Sequence, residues 1–377
     1  MATTRKKIGI LFSYSEGWIG GTYYFMNLVH ALHSLQDEEK PLVVILSENK
    51  ASFEKIKETG YPYLEYLDSH FHYTIWERLL NKLSRTLWGR NRIEKGYSKE
   101  ELPVLFGYYE QLSLHKCERK LFWIPDLQDK HYPQYLGEEV AQSRKVQHEK
   151  LAYSSSEIVF SSQDAKRDFN TFYPNATCAQ HVVPFAVTLP NLNSLSATKV
   201  LDKYGIKDPY YFSPNQFWQH KNHRIVIEAI EKLKKEGKEI QVIFTGNEAT
   251  GGGTYATGLK EYVAARGLQQ NCFFLGFIDR MDQLVLMREA KAVIQPSLFE
   301  GWSTVVEDAK CLGKWLILSN LTVHHEQLSE NVSFFDPYQV EDLIETLKSF
   351  DNRPAQVARL DYTKNVSQFA QTFLHLF

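Results

Sequence analysis

The chain has 377 residues, about twice the length of a common single domain, which favours two compact domains with a cleft between them. Its 43 basic and 45 acidic residues leave a formal charge of −2, which excludes a global positive field for holding nucleic acid. Hydrophobic residues make up 43% of the chain, as in ordinary globular proteins. Any anionic ligand must therefore be held by local groups.

Targeting and redox signals are absent from the sequence. The four cysteines lie far apart, with no C-x-x-C pair, so neither a structural metal nor a disulfide framework is expected. The apolar run at 8–12 is too short for a signal peptide and predicts a first strand. No apolar stretch is long enough to span a bilayer. These features predict a cytoplasmic protein.

In the first half, short apolar runs alternate with helical patterns, which is typical of parallel sheets built from βαβ units. Strands are predicted at 8–13, 42–47, 121–124 and 157–161. Their nearly continuous apolar character suits strands that are covered on both faces.

The segment 73–95 carries aromatic residues and leucines at helical spacing, with basic residues between them. Two interpretations stay open. The segment is either a helix that buries its apolar face in the first domain, or a basic amphipathic helix that contacts an anionic membrane. The second would place the protein at the inner face of the membrane.

The second half repeats the alternation. Strands are predicted at 210–213, 240–245, 272–277, 292–295, 315–319 and 332–335. A polar linker near residue 190 separates an N-terminal domain, 1–188, from a C-terminal domain, 189–354. A final helix, 355–377, follows the last strand and can pack back on the first domain.

The most informative stretch is 296–313, which runs from a strand end through a glycine turn into a helix. The start of a helix carries unpaired N–H groups and a partial positive charge. Amides near Ser303, Thr304 and Val305 can therefore hold a diphosphate without a lysine. Ligands also bind at the carboxyl ends of strands in open α/β sheets.

This stretch resembles the donor-site signature of the retaining GT-B glycosyltransferases of family 4, in which two glutamates flank a glycine-rich turn. The resemblance implies an α/β fold of two Rossmann-like domains whose parallel sheets face each other across a cleft. It also implies that Glu300 approaches the transferred sugar, beside Gly301, and that Glu307 holds the ribose hydroxyls. The family places seven residues between its glutamates, and this chain places six. A capping box between Thr304 and Glu307 is the structural alternative.

The segment after the first strand of the second half is similar to the family loop that carries an Arg and, five positions later, a Lys. Lys221 is the first candidate for neutralising the leaving diphosphate and thus for a catalytic role. Gln216 occupies the Arg position. Either His220 or Arg224 is expected to supply the missing charge, or the helix start near Ser303 carries more of it.

Further donor contacts are implied by the same resemblance. Gly246 is expected near the donor phosphates, and Phe277 and Ile278 near the base. In the first half, the loop with Gly20 and Gly21 resembles the family's glycine loop, which faces the phosphates across the cleft. This loop lacks G-x-G-x-x-G, which argues against a dinucleotide-binding enzyme.

Polar residues also follow the strand at 121–124. Asp126, Asp129 and His131 are candidates for holding acceptor or sugar hydroxyls, and Asp129 and His131 also for catalysis. A turn-forming role is the alternative for Asp126. The chain has no D-x-D triplet for a metal-bound diphosphate, so no metal or other cofactor is expected.

Together these features predict a retaining glycosyltransferase of surface polysaccharide biosynthesis. Its donor would be a GDP- or UDP-sugar and its acceptor a glycan or a lipid-linked glycan. Two alternatives stay open: a GT-B nucleotide-sugar epimerase, and a GT-B protein that binds nucleotide-sugar or glycan without turnover. Gln216 and the six-residue glutamate spacing are the features that support the non-catalytic alternative.

Overall fold

The computed structural model describes residues 5–15, 17–88, 91–207, 209–250, 253–352, 358 and 361–377. These residues form two parallel sheets, one of seven strands and one of six. Each sheet has its own hydrophobic core, and the second sheet has one core cluster on each face.

The first sheet has the strand order β3-β2-β1-β4-β5-β6-β7. Its strands are β1 (Lys7–Leu11), β2 (Leu42–Ser47), β3 (Leu64–Asp68), β4 (Val104–Tyr108), β5 (Arg119–Ile124), β6 (Glu157–Phe160) and β7 (Ala179–Val182). This is the order of a Rossmann-like sheet: all strands are parallel, β1 to β3 are added toward one edge, and β4 to β7 are added toward the other. The sequence did not predict β3, β4 or β7. Two of these are edge strands, which are only partly buried and so carry a weak apolar signal.

Helices follow most strands of the first domain. They are α1 (Ile19–Leu32), α2 (Lys50–Lys57), α3 (Ile75–Trp88), α4 (Tyr109–Leu112), α5 (Gln128–His131), α6 (Glu138–Ala152) and α7 (Gln163–Phe172). Tyr24 of α1 stacks on Trp123 of β5 with ring centroids 3.9 Å apart. This aromatic contact packs α1 against the sheet and positions the start of α1 above the strand ends.

The second sheet has the order β10-β9-β8-β11-β12-β13, which repeats the pattern of the first. Its strands are β8 (Tyr210–Pro214), β9 (Gln241–Thr245), β10 (Cys272–Phe274), β11 (Val293–Gln295), β12 (Leu316–Ser319) and β13 (Val332–Phe335). All six occur where the sequence predicted strands, with small shifts at their ends. The four inner strands are buried, and the edge strands β10 and β13 are partly buried but mostly apolar, so the apolar pattern is strong in all six.

The helices of the second half are α8 (Ala197–Lys203), α9 (His223–Lys235), α10 (Thr254–Ala265), α11 (Arg280–Glu289), α12 (Thr304–Cys311), α13 (Thr322–Gln327), α14 (Val340–Asp351) and α15 (Thr363–Leu374). The last helix, α15, packs against α1 and adds Phe369 and Phe373 to the core of the first domain. Residues 353–357 and 359–360, at the predicted start of this helix, lie outside the described residues.

The apolar face of α3 lies in solvent. Trp76, Leu83 and Leu87 are 77%, 59% and 66% exposed, whereas the polar residues Asn81 and Ser84 are buried. The interpretation in which this helix buries its apolar face in the first domain is therefore wrong. None of the helices in the described part of the chain has the length and apolar character needed to cross a bilayer.

The two sheets meet at their carboxyl ends, where close contacts join the domains. Trp302 donates a hydrogen bond of 3.0 Å from Nε1 to the Phe185 carbonyl. A Cβ atom added to Gly301 would lie 2.5 Å from the Pro125 carbonyl oxygen, so only glycine permits this approach. Glu326 accepts hydrogen bonds from two amides at the start of α7, at 2.7 and 3.0 Å. The domains are therefore in a closed arrangement.

Candidate active site

A cavity of about 830 Å³ lies between the domains, at the carboxyl ends of both sheets. It has the size of a small-molecule site. Fourteen of the predicted site residues line it: Gly20, Gly21, Asp126, Gln216, His220, Lys221, Gly246, Phe277, Ile278, Glu300, Gly301, Ser303, Thr304 and Val305. The predicted residues Glu307, Asp129 and His131 do not.

Glu300 and Lys221 form an ion pair in the cavity wall. Oε1 of Glu300 accepts hydrogen bonds from Lys221 Nζ and Gln295 Nε2, each at 2.6 Å, and from Ser297 Oγ at 2.7 Å. Burial opposes ionisation of Glu300, but the nearby ammonium and these hydrogen bonds outweigh it and lower its pKa to about 2. The carboxylate is therefore ionised at neutral pH. Oε2 accepts no hydrogen bond from the described residues and is free for a ligand hydroxyl.

The start of α12 presents two open amides to the cavity. Ser303 is the cap residue: its hydroxyl accepts from the Val306 amide at 3.4 Å, and its own amide donates to Gln327 Oε1 at 3.1 Å. The predicted use of the Ser303 amide for a diphosphate is therefore wrong, because Gln327 occupies it. The amides of Thr304 and Val305 have no intrahelical partner and remain open to a ligand.

Glu307 points away from the cavity. Its carboxylate accepts hydrogen bonds from Lys310 at 3.0 Å, from Gln327 at 3.0 Å and from the Tyr362 hydroxyl at 2.6 Å. The predicted contact of Glu307 with ribose is therefore not supported by its position. The predicted capping box with Thr304 is also wrong, because the helix is capped by Ser303. Glu307 instead joins α12 to α13 and to the C-terminal segment.

Asp308 takes the place that the sequence assigned to Glu307. It lines the cavity, is 1% exposed, and accepts a hydrogen bond of 2.6 Å from Arg280 Nη2. Seven residues separate Glu300 from Asp308, which is the spacing that the resembled family places between its two acidic residues. Pairing Glu300 with Asp308 matches the family spacing, with an aspartate in place of the second glutamate. Counting from Glu300 would have found Asp308 in the sequence.

Gln216 holds the neighbouring strand-end loops together. Its Oε1 accepts a hydrogen bond from the Asn247 amide at 2.9 Å. Gly246 has a φ of +152°, and a Cβ atom there would lie 2.1 Å from the Asn215 carbonyl oxygen. Only glycine fits this position without displacing the Asn215 backbone. The loop after β8 and the loop after β9 therefore form one rigid wall of the cavity.

Neither residue expected to replace the missing arginine does so. His220 is buried, which lowers its pKa to about 3, so it is neutral at physiological pH. Its Nδ1 accepts a hydrogen bond of 3.1 Å from Gln128 of the first domain. Arg224 pairs with Glu228 at 2.6 Å, stacks on Tyr262, and does not line the cavity. The predictions that His220 or Arg224 supplies the missing charge are therefore wrong. Lys221 lines the same cavity as the open amides of α12.

Asp129 and His131 lie outside the cavity. The Asp129 side chain is 1% exposed, and its burial raises its pKa. His131 Nε2 lies 2.7 Å from Asp168 Oδ2, and this hydrogen bond raises the pKa of His131. The ring of His131 also packs on Phe299 of the second domain. Their predicted catalytic roles, and the acceptor role of Asp129, are therefore not supported by where the structure places them.

The first domain contributes Asp126 and the start of α1 to the cavity. Asp126 Oδ1 accepts a hydrogen bond from the Gln128 amide at 3.0 Å, so the predicted turn-forming role is present together with the position on the wall. A Cβ atom at Gly21 would meet the ring of Trp18 at 2.5 Å, whereas one at Gly20 would meet nothing within 4 Å. Gly21 therefore allows Trp18 to lie along the cavity wall.

The cavity-wall residues that the sequence interpretation missed include Trp18, Arg144, Arg280 and Asp308. Apart from the spacing that identifies Asp308, nothing in the sequence marks them, because each lies on an element whose orientation depends on tertiary packing. In the described part of the chain, no group of three or more His, Cys, Asp or Glu side chains is arranged to hold a metal ion.

The architecture and the site define the class of protein. Two Rossmann-like domains with cavity-lining strand ends form the GT-B fold. HepE from Anabaena, solved in complex with UDP and glucose, is 15% identical, with a TM-score of 0.65 over 98% of this chain and 95% of that chain. WaaG, a glycosyltransferase involved in lipopolysaccharide biosynthesis, is 14% identical, with a TM-score of 0.61 over 97% of this chain and 95% of that chain. The GT-B fold is therefore confirmed.

Sequence similarity agrees with this class. Residues 198–368 match the family described as glycosyl transferases group 1. The O-antigen chain mannosyltransferase RfbU of Salmonella typhimurium is 23% identical over 169 residues, which cover 45% of this chain and 46% of that protein. The match thus spans about half the length of that relative. The chain therefore has the GT-B fold, as predicted, and its second half is similar to glycosyl transferases group 1. Family 4 and retention of configuration remain predictions.

Proposed function

We propose that this protein transfers a sugar from a nucleotide diphospho-sugar to a glycan or lipid-linked acceptor, with retention of configuration and without a metal. The observation that carries the proposal is the meeting of Lys221, the open amides of Thr304 and Val305, and the ionised Glu300 in one interdomain cavity.

The anion-binding groups match the charge that develops on the leaving diphosphate. Lys221 and the start of α12 supply positive potential at the point where the glycosidic bond breaks. Both are fixed in place before a ligand binds, Lys221 by Glu300 at 2.6 Å and α12 by the Gln327 contact to Ser303. Groups that are already oriented stabilise a transition state without further reorganisation.

The two acidic residues of the wall have separate roles in the proposal. Glu300 accepts a hydroxyl of the transferred sugar through its free Oε2. Asp308, held by Arg280 at 2.6 Å, accepts a hydroxyl of the ribose. Phe277 and Ile278 line the cavity just before α11, the helix that carries Arg280, and contact the base. With these contacts, the nucleotide-sugar donor lies along the second domain.

Retention is achieved when the acceptor hydroxyl attacks from the face that the diphosphate leaves. The bond from the anomeric carbon to the phosphate oxygen breaks, and the bond to the acceptor oxygen forms. The hydroxyl proton passes to the departing phosphate oxygen, the nearest base on that face. The closed contact of Gly301 with Pro125 excludes water that would otherwise hydrolyse the donor.

The relatives suggest which substrates to test first. HepE was solved with UDP-glucose, and RfbU is a mannosyltransferase of O-antigen chains. We therefore propose a UDP- or GDP-linked hexose as donor and a surface polysaccharide as the product class.

Thermal shift with UDP-, GDP-, ADP- and dTDP-sugars tests the donor site, because a ligand that binds the folded state raises Tm. The best donor is then assayed for transfer in EDTA, and the anomeric configuration of the product is read by NMR. Binding without transfer or hydrolysis would favour the non-catalytic alternative. Release of free nucleotide with an epimerised sugar would favour the epimerase. An inverted product would contradict retention.

Peripheral contact with a membrane is part of the same proposal. The exposed apolar face of α3 includes Trp76 and Leu83, and the same helix carries the exposed basic residues Arg78, Lys82 and Arg85. An exposed apolar stripe beside basic residues matches the interface of an anionic bilayer, where the apolar side chains leave water and the cations meet lipid phosphates. We propose that α3 holds a cytoplasmic protein at the inner face of the membrane, beside a lipid-linked acceptor.

A further inference from the structure

The first-domain wall of the cavity contains a pair of side chains, Arg144 of α6 and Asp126 after β5, that the donor site does not use. Nη1 of Arg144 lies 3.9 Å from Oδ1 of Asp126, which is beyond hydrogen-bond distance. Both side chains are largely buried, with 19% and 24% of their surface exposed, and both line the cavity.

The polar atoms of this pair are not satisfied by the protein. No hydrogen bond joins the Arg144 guanidinium to a described residue, and its Nε is fully buried. Asp126 uses Oδ1 to accept the Gln128 amide at 3.0 Å, and Oδ2 accepts none from the described residues. A buried donor or acceptor without a partner lowers the stability of the fold, so such groups are rare in native structures. Where they line a cavity, they indicate a ligand that supplies the missing hydrogen bonds.

The residues around Arg144 do not supply a partner. Tyr108 and Tyr109 lie close enough to raise its pKa, but neither makes a hydrogen bond with it. Behind it, Asp129 and His148 are buried, with Nδ1 of His148 3.8 Å from Oδ1 of Asp129, and they too lack hydrogen-bond partners. The open side of the Arg144 guanidinium is therefore the cavity.

An aromatic side chain of the same cavity wall, Trp18, is linked to this pair through Tyr108, which packs on Trp18 and lies near Arg144. Trp18 lines the cavity with 39% of its surface exposed, and its ring packs on Trp123 and Tyr108 with centroids 5.7 and 4.6 Å away. These contacts hold the indole in a fixed orientation. An aromatic face next to a fixed donor and a fixed acceptor suits a pyranose ring, which has an apolar C–H face and hydroxyls at its edge.

The charges favour a neutral ligand. Asp126 lies 3.9 Å from Arg144 and carries the opposite charge, so the pair presents one charged donor and one charged acceptor with no net charge. Two neighbouring hydroxyls match the pair: one accepts from the guanidinium while the other donates to Asp126 Oδ2. The pair also adjoins the donor loop, because a Cβ atom at Gly301 would lie 2.6 Å from Asp126 Cβ.

We propose that Arg144, Asp126 and Trp18 form the acceptor subsite and hold a neutral pyranose by two adjacent ring hydroxyls, with its apolar face on Trp18. The proposal rests on the proposed function, since it places the acceptor sugar next to the donor loop. It names the acceptor class as an uncharged glycan end with a free vicinal diol.

Saturation-transfer NMR tests the subsite directly, with methyl α-mannopyranoside, methyl α-glucopyranoside and methyl β-galactopyranoside as probes in the presence of saturating nucleotide diphosphate. The wild-type protein should bind at least one of these probes. Arg144→Met and Asp126→Asn should each weaken that binding about tenfold or more, because each leaves a buried polar partner unpaired. Lys145→Met, on the exposed side of the same helix, is the matched control and should bind as the wild type does.

Several outcomes would overturn the subsite. The first is that the wild-type protein binds none of the probes. The second is that Arg144→Met binds the probes with unchanged affinity. The third is that methyl glucuronide binds more tightly than the neutral probes. Arg144→Lys keeps the charge without the planar fork and should also lose affinity, which guards against a misfolded Met variant. Nucleotide affinity, measured on the same samples by calorimetry, should not change. If the wild-type protein binds no nucleotide, the proposed function is contradicted. The saccharide measurements then still decide whether these residues bind a sugar.

Discussion

The ammonium of Lys221 lies 2.6 Å from Oε1 of Glu300, and both side chains are mostly buried, at 17% and 7% exposed. Removing one partner of such a pair leaves the other as an uncompensated charge. We expect Lys221→Met to lower the free energy of unfolding by about 3 kcal/mol at pH 7. The double variant with Glu300→Gln should recover part of that loss. Urea unfolding of the four proteins measures the coupling, and additive effects would contradict it.

The loss of unfolding free energy in Lys221→Met should depend on pH, and the pKa of Glu300 sets its direction. The pKa of Glu300 is lowered to about 2 from its ordinary 4.5, so its ionisation stabilises the fold above pH 4.5, and the stabilisation is lost as the pH falls through about 2. Without Lys221, burial should raise the pKa of Glu300. The stability difference between wild type and Lys221→Met should therefore shrink between pH 7 and pH 5. A constant difference over this range would contradict the ion pair.

Activity should depend on the same lysine. Lys221→Met removes the side-chain cation beside the open amides of α12, so we expect kcat to fall about 10²- to 10³-fold. Single-turnover transfer with saturating donor measures the chemical step. Arg224→Met is the matched control, because Arg224 stacks on Tyr262 and does not line the cavity. Equal losses in the two variants would contradict the role given to Lys221.

Two conservative substitutions distinguish the proposed ligand-binding role of Asp308 from the structural role of Glu307. Asp308→Asn should weaken binding of the nucleotide diphosphate about tenfold, because it removes a charged acceptor for the ribose. Glu307→Gln should leave that affinity unchanged and lower Tm, since Glu307 binds Lys310 and Tyr362 in the interior. Isothermal calorimetry and thermal melts decide the matter. The reverse pattern would restore Glu307 to the donor site.

Closure of the domains should depend on Gly301. In Gly301→Ala, the new methyl group would meet the Pro125 carbonyl oxygen at 2.5 Å. We expect kcat for transfer to fall at least about tenfold while nucleotide binding to the second domain persists, because closure assembles the site after binding. Gly258→Ala in α10 is the control, since its Cβ would meet nothing within 4 Å. Small-angle scattering should show a more open Gly301→Ala protein; full activity would contradict this account.

The catalytic role predicted for His131 can be tested, although the structure places the residue outside the cavity. Its hydrogen bond to Asp168 raises its pKa, so the charged pair stabilises the fold below the ordinary value of 6.5, and this contribution disappears as the pH rises through the raised value. In Asp168→Asn, NMR titration should find a lower pKa for His131. His131→Gln should retain transfer within about threefold. A loss of several hundredfold would restore His131 as a catalytic residue.

The exposed face of α3 predicts membrane binding that can be removed without loss of stability. Changing Trp76, Leu83 and Leu87 together to serine should reduce binding to vesicles rich in phosphatidylglycerol at least about tenfold. Tm should not fall, because these side chains are 77%, 59% and 66% exposed. Leu114→Ser, at an 81% exposed position outside α3, is the control. Wild-type protein that does not sediment with the vesicles would contradict the proposal.

Most of the fold was readable from the sequence because buried parallel strands are short, continuous and apolar. The four inner strands of the second sheet were predicted for this reason. Its edge strands β10 and β13 are only partly buried but were still predicted, because their residues are mostly apolar. β4 was missed although it is fully buried. The edge strands β3 and β7 were missed, since a partly exposed strand mixes polar and apolar residues. The loops at Gly246 and Gly301 were predicted from the family resemblance. The contacts that require glycine there, with Asn215 and with Pro125, are formed only in the tertiary structure.

What the sequence determined by itself was the architecture and the strand ends at which ligands bind, since both follow from the order of apolar runs and glycine turns. Only the tertiary structure decided which side chains face the cavity. Consecutive helical residues point about 100° apart, so Asp308 faces the ligand site while Glu307 faces the interior. The same dependence on packing buried Asp129, brought Arg144 to the cleft, and left the apolar face of α3 in solvent.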